Sequence, residues 1–219
     1  VTGSASASGS ASASGAALAP GDAQRLEACL AGGGVAVFPA DTVYGLGCDP
    51  GNAAAVERLY ALKGRPAERP AAVMFFALDA ALAALPELGE RERGALRALL
   101  PGALTLLLPN RARRFALACG PDPHTLGLRV PLLAGALAPL RAVRMPVLQS
   151  SANISGERAV RRLAQVPAAL RDGADLALDG GELPGTASTV VDLRGYEARG
   201  EWRVVRAGPV DERRLERLL

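Results

Sequence analysis

The chain has 219 residues, enough for one substantial core, with 49% apolar but 4% aromatic residues, so Leu, Val and Ala must build that core. The formal net charge of +3 suits an anionic ligand and is too small to demand nucleic acid. No apolar run is long enough to span a bilayer, and the single histidine, His124, leaves no multi-histidine metal centre and no conventional Ser-His-Asp triad.

Residues 1–18 are mostly Ser, Ala and Gly. They lack the basic start and apolar block of a signal peptide, and are expected to form a flexible tail ahead of one domain at 19–219. Gly21-Asp22 opens a helix with Leu26, Cys29 and Leu30 on one face, stopped by Gly32-Gly33-Gly34. Val35 to Phe38 is a short buried strand, followed by an expected loop at Ala40–Gly47. Asn52 caps a second helix with Val56, Leu59 and Tyr60 on one face. Gly64 and Pro66 end it, which puts Lys63 at its C-terminus.

Further strands are expected at Val73–Phe76, Thr105–Leu108, Leu126–Val130, Val147–Gln149, Leu176–Leu178, Thr189–Leu193 and Trp202–Arg206. Helices are expected around Asp79–Leu85, Arg91–Leu100 and Leu132–Leu140, and from Asp211 onward. Strands and helices mix without a strict alternation, which predicts a single α/β domain with a mixed sheet. Cys29, Cys48 and Cys119 are odd in number and widely spaced, so neither a zinc site nor a disulfide framework is indicated. Reduced thiols in a cytoplasmic protein are the expectation.

Lys63 is the single lysine in a chain whose other cations of this kind are all arginine. A composition this rich in Ala, Gly, Pro and Arg points to a GC-rich coding background, which makes the surviving lysine a candidate for a point-charge role at a phosphate. Four polar, glycine-bearing segments follow or interrupt apolar strands: Pro39–Gly47, Lys63–Pro70, Thr125–Pro131 and Gln149–Gly156. They supply cations and hydroxyls with few carboxylates, the inventory of a phosphate and carboxylate binder and not of a glycosidase or a hydrolytic metal site. Each has a blander reading: glycines in tight turns, Arg129 in a surface salt bridge, Ser151-Ala152-Asn153 as a capping turn. Composition and spacing alone stop at a cytosolic α/β protein that binds a small anion.

The ordered set of segments Phe38–Gly47 (FPADTVYGLG), Lys63–Pro66 (KGRP), Pro101–Thr105 (PGALT), Thr125–Pro131 (TLGLRVP), Ser151–Gly156 (SANISG), Ser188–Asp192 (STVVD) and Arg206–Pro209 (RAGP) resembles the YrdC-like family of threonylcarbamoyl-adenylate synthases, short single-domain type. The resemblance covers nearly all of residues 22–210. It implies a twisted mixed sheet flanked by helices around a basic cavity. The implied enzyme is a nucleotidyltransferase that makes threonylcarbamoyl-AMP and pyrophosphate from L-threonine, bicarbonate and ATP, with Mg²⁺ accompanying ATP. Its product serves the threonylcarbamoyladenosine modification of tRNA through a downstream transferase complex, with any RNA contact weak or indirect. Lys63 and Arg65 would hold the triphosphate as the catalytic cations, with Arg206 adding to them. Thr125, Ser151 and Asn153 would lie near the nucleotide. Arg129 would pair with the threonine carboxylate, Thr42 and Ser188 would bound the amino-acid pocket, and Tyr44 would shape its wall.

Three departures from the family pattern stand out: Ala40 where Thr is usual, Arg69-Pro70-Ala71 where Asn-Pro-Leu is common, and Met74 in place of a common histidine. They bear on amino-acid specificity more than on ATP. The alternatives are an RNA-binding maturation factor using the same cavity and a related carbamoyl-adenylating enzyme; the first would need a broad basic surface with aromatic platforms.

Overall fold

The computed structural model describes residues 17–66 and 68–219. The expected tail therefore lies mostly outside the described residues, while Leu18, counted with it, is 6% exposed and packs into the core. Helix α1 (Asp22–Ala31) turns Leu26 and Leu30 inward and ends at Gly32. Strand β1 (Ala36–Pro39) is buried throughout, and the chain reverses into β2 (Tyr44–Cys48), antiparallel to it from Ala36↔Gly47 to Pro39↔Tyr44.

The second half of the expected loop Ala40–Gly47 is thus a buried strand, and the reason is steric. A Cβ on Gly45 would lie 2.7 Å from Gln149 Nε2, and one on Gly47 would lie 2.6 Å from Val147 Cγ1 and 2.8 Å from Phe38 Cε1. These glycines let neighbouring side chains close over the strand.

Helix α2 (Ala53–Leu62) begins at Asn52, whose side chain accepts from the Ala55 N–H at 3.1 Å. It buries Val56, Leu59 and Tyr60 and stops at Lys63, with Gly64 in the left-handed region at φ +56°. There follow β3 (Ala72–Met74), α3 (Leu78–Ala84), α4 (Glu90–Leu99), β4 (Leu104–Pro109), β5 (Thr125–Arg129) and β6 (Val147–Ser151). The chain closes with α5 (Ala168–Gly173), β7 (Leu176–Ala177), β8 (Thr189–Asp192), α6 (Tyr196–Arg199), β9 (Arg203–Arg206) and α7 (Glu212–Glu216). Leu132–Leu140, expected to be α-helical, is instead a 3₁₀ segment at Gly135–Ala142; Pro139 inside it has no N–H to give to an α-helical ladder.

Among the described residues the strands join one nine-stranded sheet in the order β7-β1-β2-β6-β3-β5-β4-β8-β9. The pairs β1–β7, β3–β5 and β4–β8 are parallel and the other neighbours antiparallel, so the sheet is mixed. Among the described residues no helix is long and apolar enough to cross a membrane.

Gly47 offers a direct check on this packing. Gly47→Ala forces a methyl against Val147 and Phe38, and overpacking of this kind costs about 1–3 kcal/mol. Urea denaturation should therefore show a lower midpoint with an unchanged slope; an unchanged midpoint would mean that β2 is not gripped as described.

Candidate active site

Sheet register assembles the site. Leu107 faces Gly127, Gly127 faces Ala72, and Ala72 faces Gln149, a row running across β4, β5, β3 and β6. A second row, Thr105–Val190–Arg206, crosses β4, β8 and β9. Residues opposite one another in a sheet share a face, and every member of both rows lines one cavity of about 380 Å³. Gly127 and Ala72 carry little or no side chain, which lowers the floor between the longer residues.

The cavity is basic. Arg206 Nη2 donates to the Ser188 carbonyl at 2.8 Å and to Ser188 Oγ at 3.2 Å, and Ser188 Oγ lies 2.8 Å from Thr105 Oγ1. Arg65 donates to the Pro70 carbonyl at 2.5 Å and stands 5.8 Å over the Tyr60 ring, with its Nε buried and unpartnered. The hydrogen bonds of Arg65 and Arg206 thus go to neutral oxygens. Arg129 is different: Nη2 donates to Asp41 Oδ1 at 2.8 Å and to Thr42 Oγ1 at 3.1 Å, and Nη1 donates to Gln149 Oε1 at 3.3 Å. Arg129 and Asp41 are both almost wholly buried. Burial pushes the Asp41 carboxyl up while the Arg129 charge pulls it down, and the net displacement is upward. At the rim, Asp122 accepts from Thr125 Oγ1 at 2.6 Å, which holds its carboxyl below the usual range.

Of the residues expected at the site, Arg65, Thr125, Arg129, Ser151, Ser188 and Arg206 line the cavity. Lys63, Asn153, Thr42 and Tyr44 are not among its lining residues, and the contacts of each say where it lies. Lys63, 1% exposed, is the C-cap of α2, and its ammonium reaches the carbonyl of Ser151, a residue of the wall. Its Nζ donates to the carbonyls of Ser151 and of Asn153, the latter at 2.9 Å, and burial pushes its pKa down to about 8, with Arg65 adding to the shift. Asn153 spends its amide N–H groups on the carbonyls of Ile154 and Glu157, shaping the turn. Thr42 lies beneath Arg129 as its acceptor. Tyr44 points away: its hydroxyl lies 2.8 Å from Asp179 Oδ1 and accepts from the Gly180 N–H at 3.1 Å, pinning that loop instead of walling the cavity.

The departures from the family pattern also find places. Ala40 and Met74 are fully buried and Arg69 is exposed, and none of these three lines the cavity, whereas Ala71, where Leu is common, does. Gln149, Thr105 and Asp41 are the additions that sequence reading missed as site residues. The signal was available for Gln149 and Thr105, because a polar residue inside an otherwise apolar strand run must face a partner or a cavity.

A family model, Sua5/YciO/YrdC, described as telomere recombination, matches residues 28–208. A Mycobacterium tuberculosis protein is 36% identical over 194 residues, covering 87% of this chain and 85% of its own. The threonylcarbamoyl-AMP synthase of Xanthomonas campestris pv. campestris is 35% identical over 155 residues, 70% of this chain and 82% of its own. Among solved structures, P. abyssi Sua5 complexed with L-threonine matches with a TM-score of 0.79 at 26% identity, covering 92% of this chain and 58% of that one. Matched by the family model from within α1 to just past β9, the chain belongs to the Sua5/YciO/YrdC family.

Proposed function

We propose that the protein is a threonylcarbamoyl-AMP synthase, joining L-threonine, bicarbonate and ATP to give threonylcarbamoyl-AMP and pyrophosphate. The reading is supported by family membership, by the name of the Xanthomonas relative and by the threonine complex of Sua5. The observation that carries it is the charge arrangement of the cavity: Arg65 and Arg206 engage only neutral oxygens among the described residues, while Arg129 is held in place by Asp41. Guanidinium groups without a carboxylate partner in a partly desolvated cavity are suited to a polyanion.

Threonine's amine first adds to the carbon of bicarbonate; water is lost and the nitrogen now carries a carboxylate, the carbamate. A carbamate oxygen then attacks the α-phosphorus of ATP; the bond to the β-bridging oxygen breaks, and its electron pair leaves with pyrophosphate. Negative charge builds on the phosphate oxygens, where Arg65 and Arg206 act as fixed counter-charges. The nucleophile is already an anion, so no protein base is required at that step. Mg²⁺ enters with ATP as part of the substrate. Asp122 is a carboxylate on the cavity wall; it accepts from Thr125 and keeps further lone pairs. The product is an activated acyl group for transfer to the tRNA adenosine by a separate transferase.

The direct test is pyrophosphate release from ATP in bicarbonate buffer with different amino acids. Threonine should be the best substrate, serine weak and valine rejected, because a site that reads a hydroxyl discriminates strongly against its loss, whereas a missing methyl costs about 1–3 kcal/mol. Equal rates with threonine and valine would replace this reading with a broader carbamoyl-adenylating activity.

Lys63 supplies a second test. Its ammonium keeps a donor beyond those given to the Ser151 and Asn153 carbonyls. A pKa lowered to about 8 means that part of the Lys63 population is neutral above that pH in the free protein. A triphosphate nearby raises the pKa again, so ATP binding at pH 8.5 should take up a fraction of a proton, and at pH 6.5 almost none. Calorimetry in buffers of different ionisation enthalpy measures this uptake. Lys63→Met should abolish it; an uptake that persists in that variant would remove Lys63 from the nucleotide's surroundings.

A further inference from the structure

Gln149 is 4% exposed, and yet it lines the cavity. Its side chain crosses β2 above Gly45, where the missing Cβ makes room for the amide. Oε1 accepts from Arg129 Nη1 at 3.3 Å. A guanidinium only donates, so the amide oxygen must face Arg129 and the NH₂ end must face elsewhere. Among the described residues Nε2 makes no hydrogen bond, and unlike Arg129 Nε it is not sealed from the cavity. An amide donor at the cavity surface with no protein acceptor is open to a ligand acceptor that replaces water there.

Arg129 cannot serve an incoming anion fully by itself. Asp41, Thr42 and Gln149 already take N–H donors from it, and Asp41 offsets its charge. A carboxylate offers lone pairs to several donors and is poorly satisfied by what remains. The Gln149 NH₂ is tied to the same guanidinium through the other end of its amide, which places a neutral donor beside the remaining Nη1 N–H of Arg129.

We infer that Gln149 is a substrate-binding residue whose NH₂ donates to the carboxylate of the amino-acid substrate, forming one clamp with Arg129. The inference rests on the reading of the protein as a threonylcarbamoyl-AMP synthase and adds to it a residue that determines amino-acid affinity. The clamp reads what all amino acids share. It therefore sets affinity for threonine and serine alike, and discrimination between them falls to other parts of the wall.

Gln149→Glu is the decisive variant. It keeps the length and the oxygen facing Arg129 but exchanges the donor for a second anionic oxygen; Gln149→Leu removes both functions. Steady-state pyrophosphate release is measured against L-threonine and L-serine, ATP affinity is measured separately by calorimetry, and melting temperature serves as the folding control. Gln149→Glu matches the amide in length and should still unfold in one cooperative transition, although a second carboxylate beside the Asp41–Arg129 pair lowers its melting temperature somewhat. Its KM for threonine and for serine should rise in parallel by about tenfold or more, with kcat at saturating threonine and the ATP Kd changed by no more than about twofold. Gln149→Leu should show a smaller rise in both KM values. Unchanged threonine KM in both variants overturns the inference. So does a loss confined to threonine, which would assign the amide to the hydroxyl, and so does weakened ATP with unchanged threonine, which would assign it to the nucleotide. A wild type with no threonine-dependent pyrophosphate release removes the functional reading and the clamp together, whereas an active wild type with unaffected variants removes the clamp alone.

Discussion

The buried guanidinium of Arg129 is the joint on which the cavity depends. It ends β5, reaches Asp41 and Thr42 in the turn between β1 and β2, and touches Gln149 on β6. Asp41 in turn accepts from the Leu132 N–H at 3.1 Å, which fastens the chain just beyond β5 to the same turn. Segments far apart in sequence are thus held by one charge pair. Breaking such a pair by removing one partner costs about 3–5 kcal/mol, because the other charge stays buried and alone. The pair gives little net stability over an apolar equivalent, and its value lies in fixing where the free edge of the guanidinium points.

Around this neutralised pair the other cations follow a different rule. Arg65, Arg206 and Lys63 are held by carbonyl and hydroxyl oxygens. Neutral acceptors orient a cation without cancelling its charge, so the field of each is preserved for a ligand. The cost appears in Lys63, whose proton affinity falls because no carboxylate repays its desolvation. The cavity wall therefore combines one compensated charge that positions with several uncompensated ones that attract, an arrangement suited to an amino-acid carboxylate at one end and a polyphosphate at the other.

Packing and recognition use the same residues. Gly45 and Gly47 make β2 thin, Gly127 and Ala72 lower the floor, and the space they release is where Gln149 and the cavity lie. Small side chains in the centre of a sheet weaken it entropically. Here buried neighbours on both sides, Phe38 and Val147 among them, supply the packing that those strands forgo.

By itself the sequence determined the fold class, most elements and the ordered motifs that mark the family, since these rest on local periodicity, caps and short segments that need no partner to be read. Arg65, Arg129, Ser188 and Arg206 were recognisable in the same way, each inside a motif. Only the tertiary structure decided that Ala40–Gly47 contains a buried strand, because Gly45 and Gly47 read as turn residues until their neighbours across the sheet are known. It alone decided the direction of Tyr44, which belongs to a motif and yet turns away from the cavity to pin a loop, and it set the Lys63 ammonium against the carbonyls of Ser151 and Asn153. It also brought Gln149 and Thr105 to the wall, because strand register, a relation between distant segments, determines which polar residue of an apolar strand faces its neighbours' side chains.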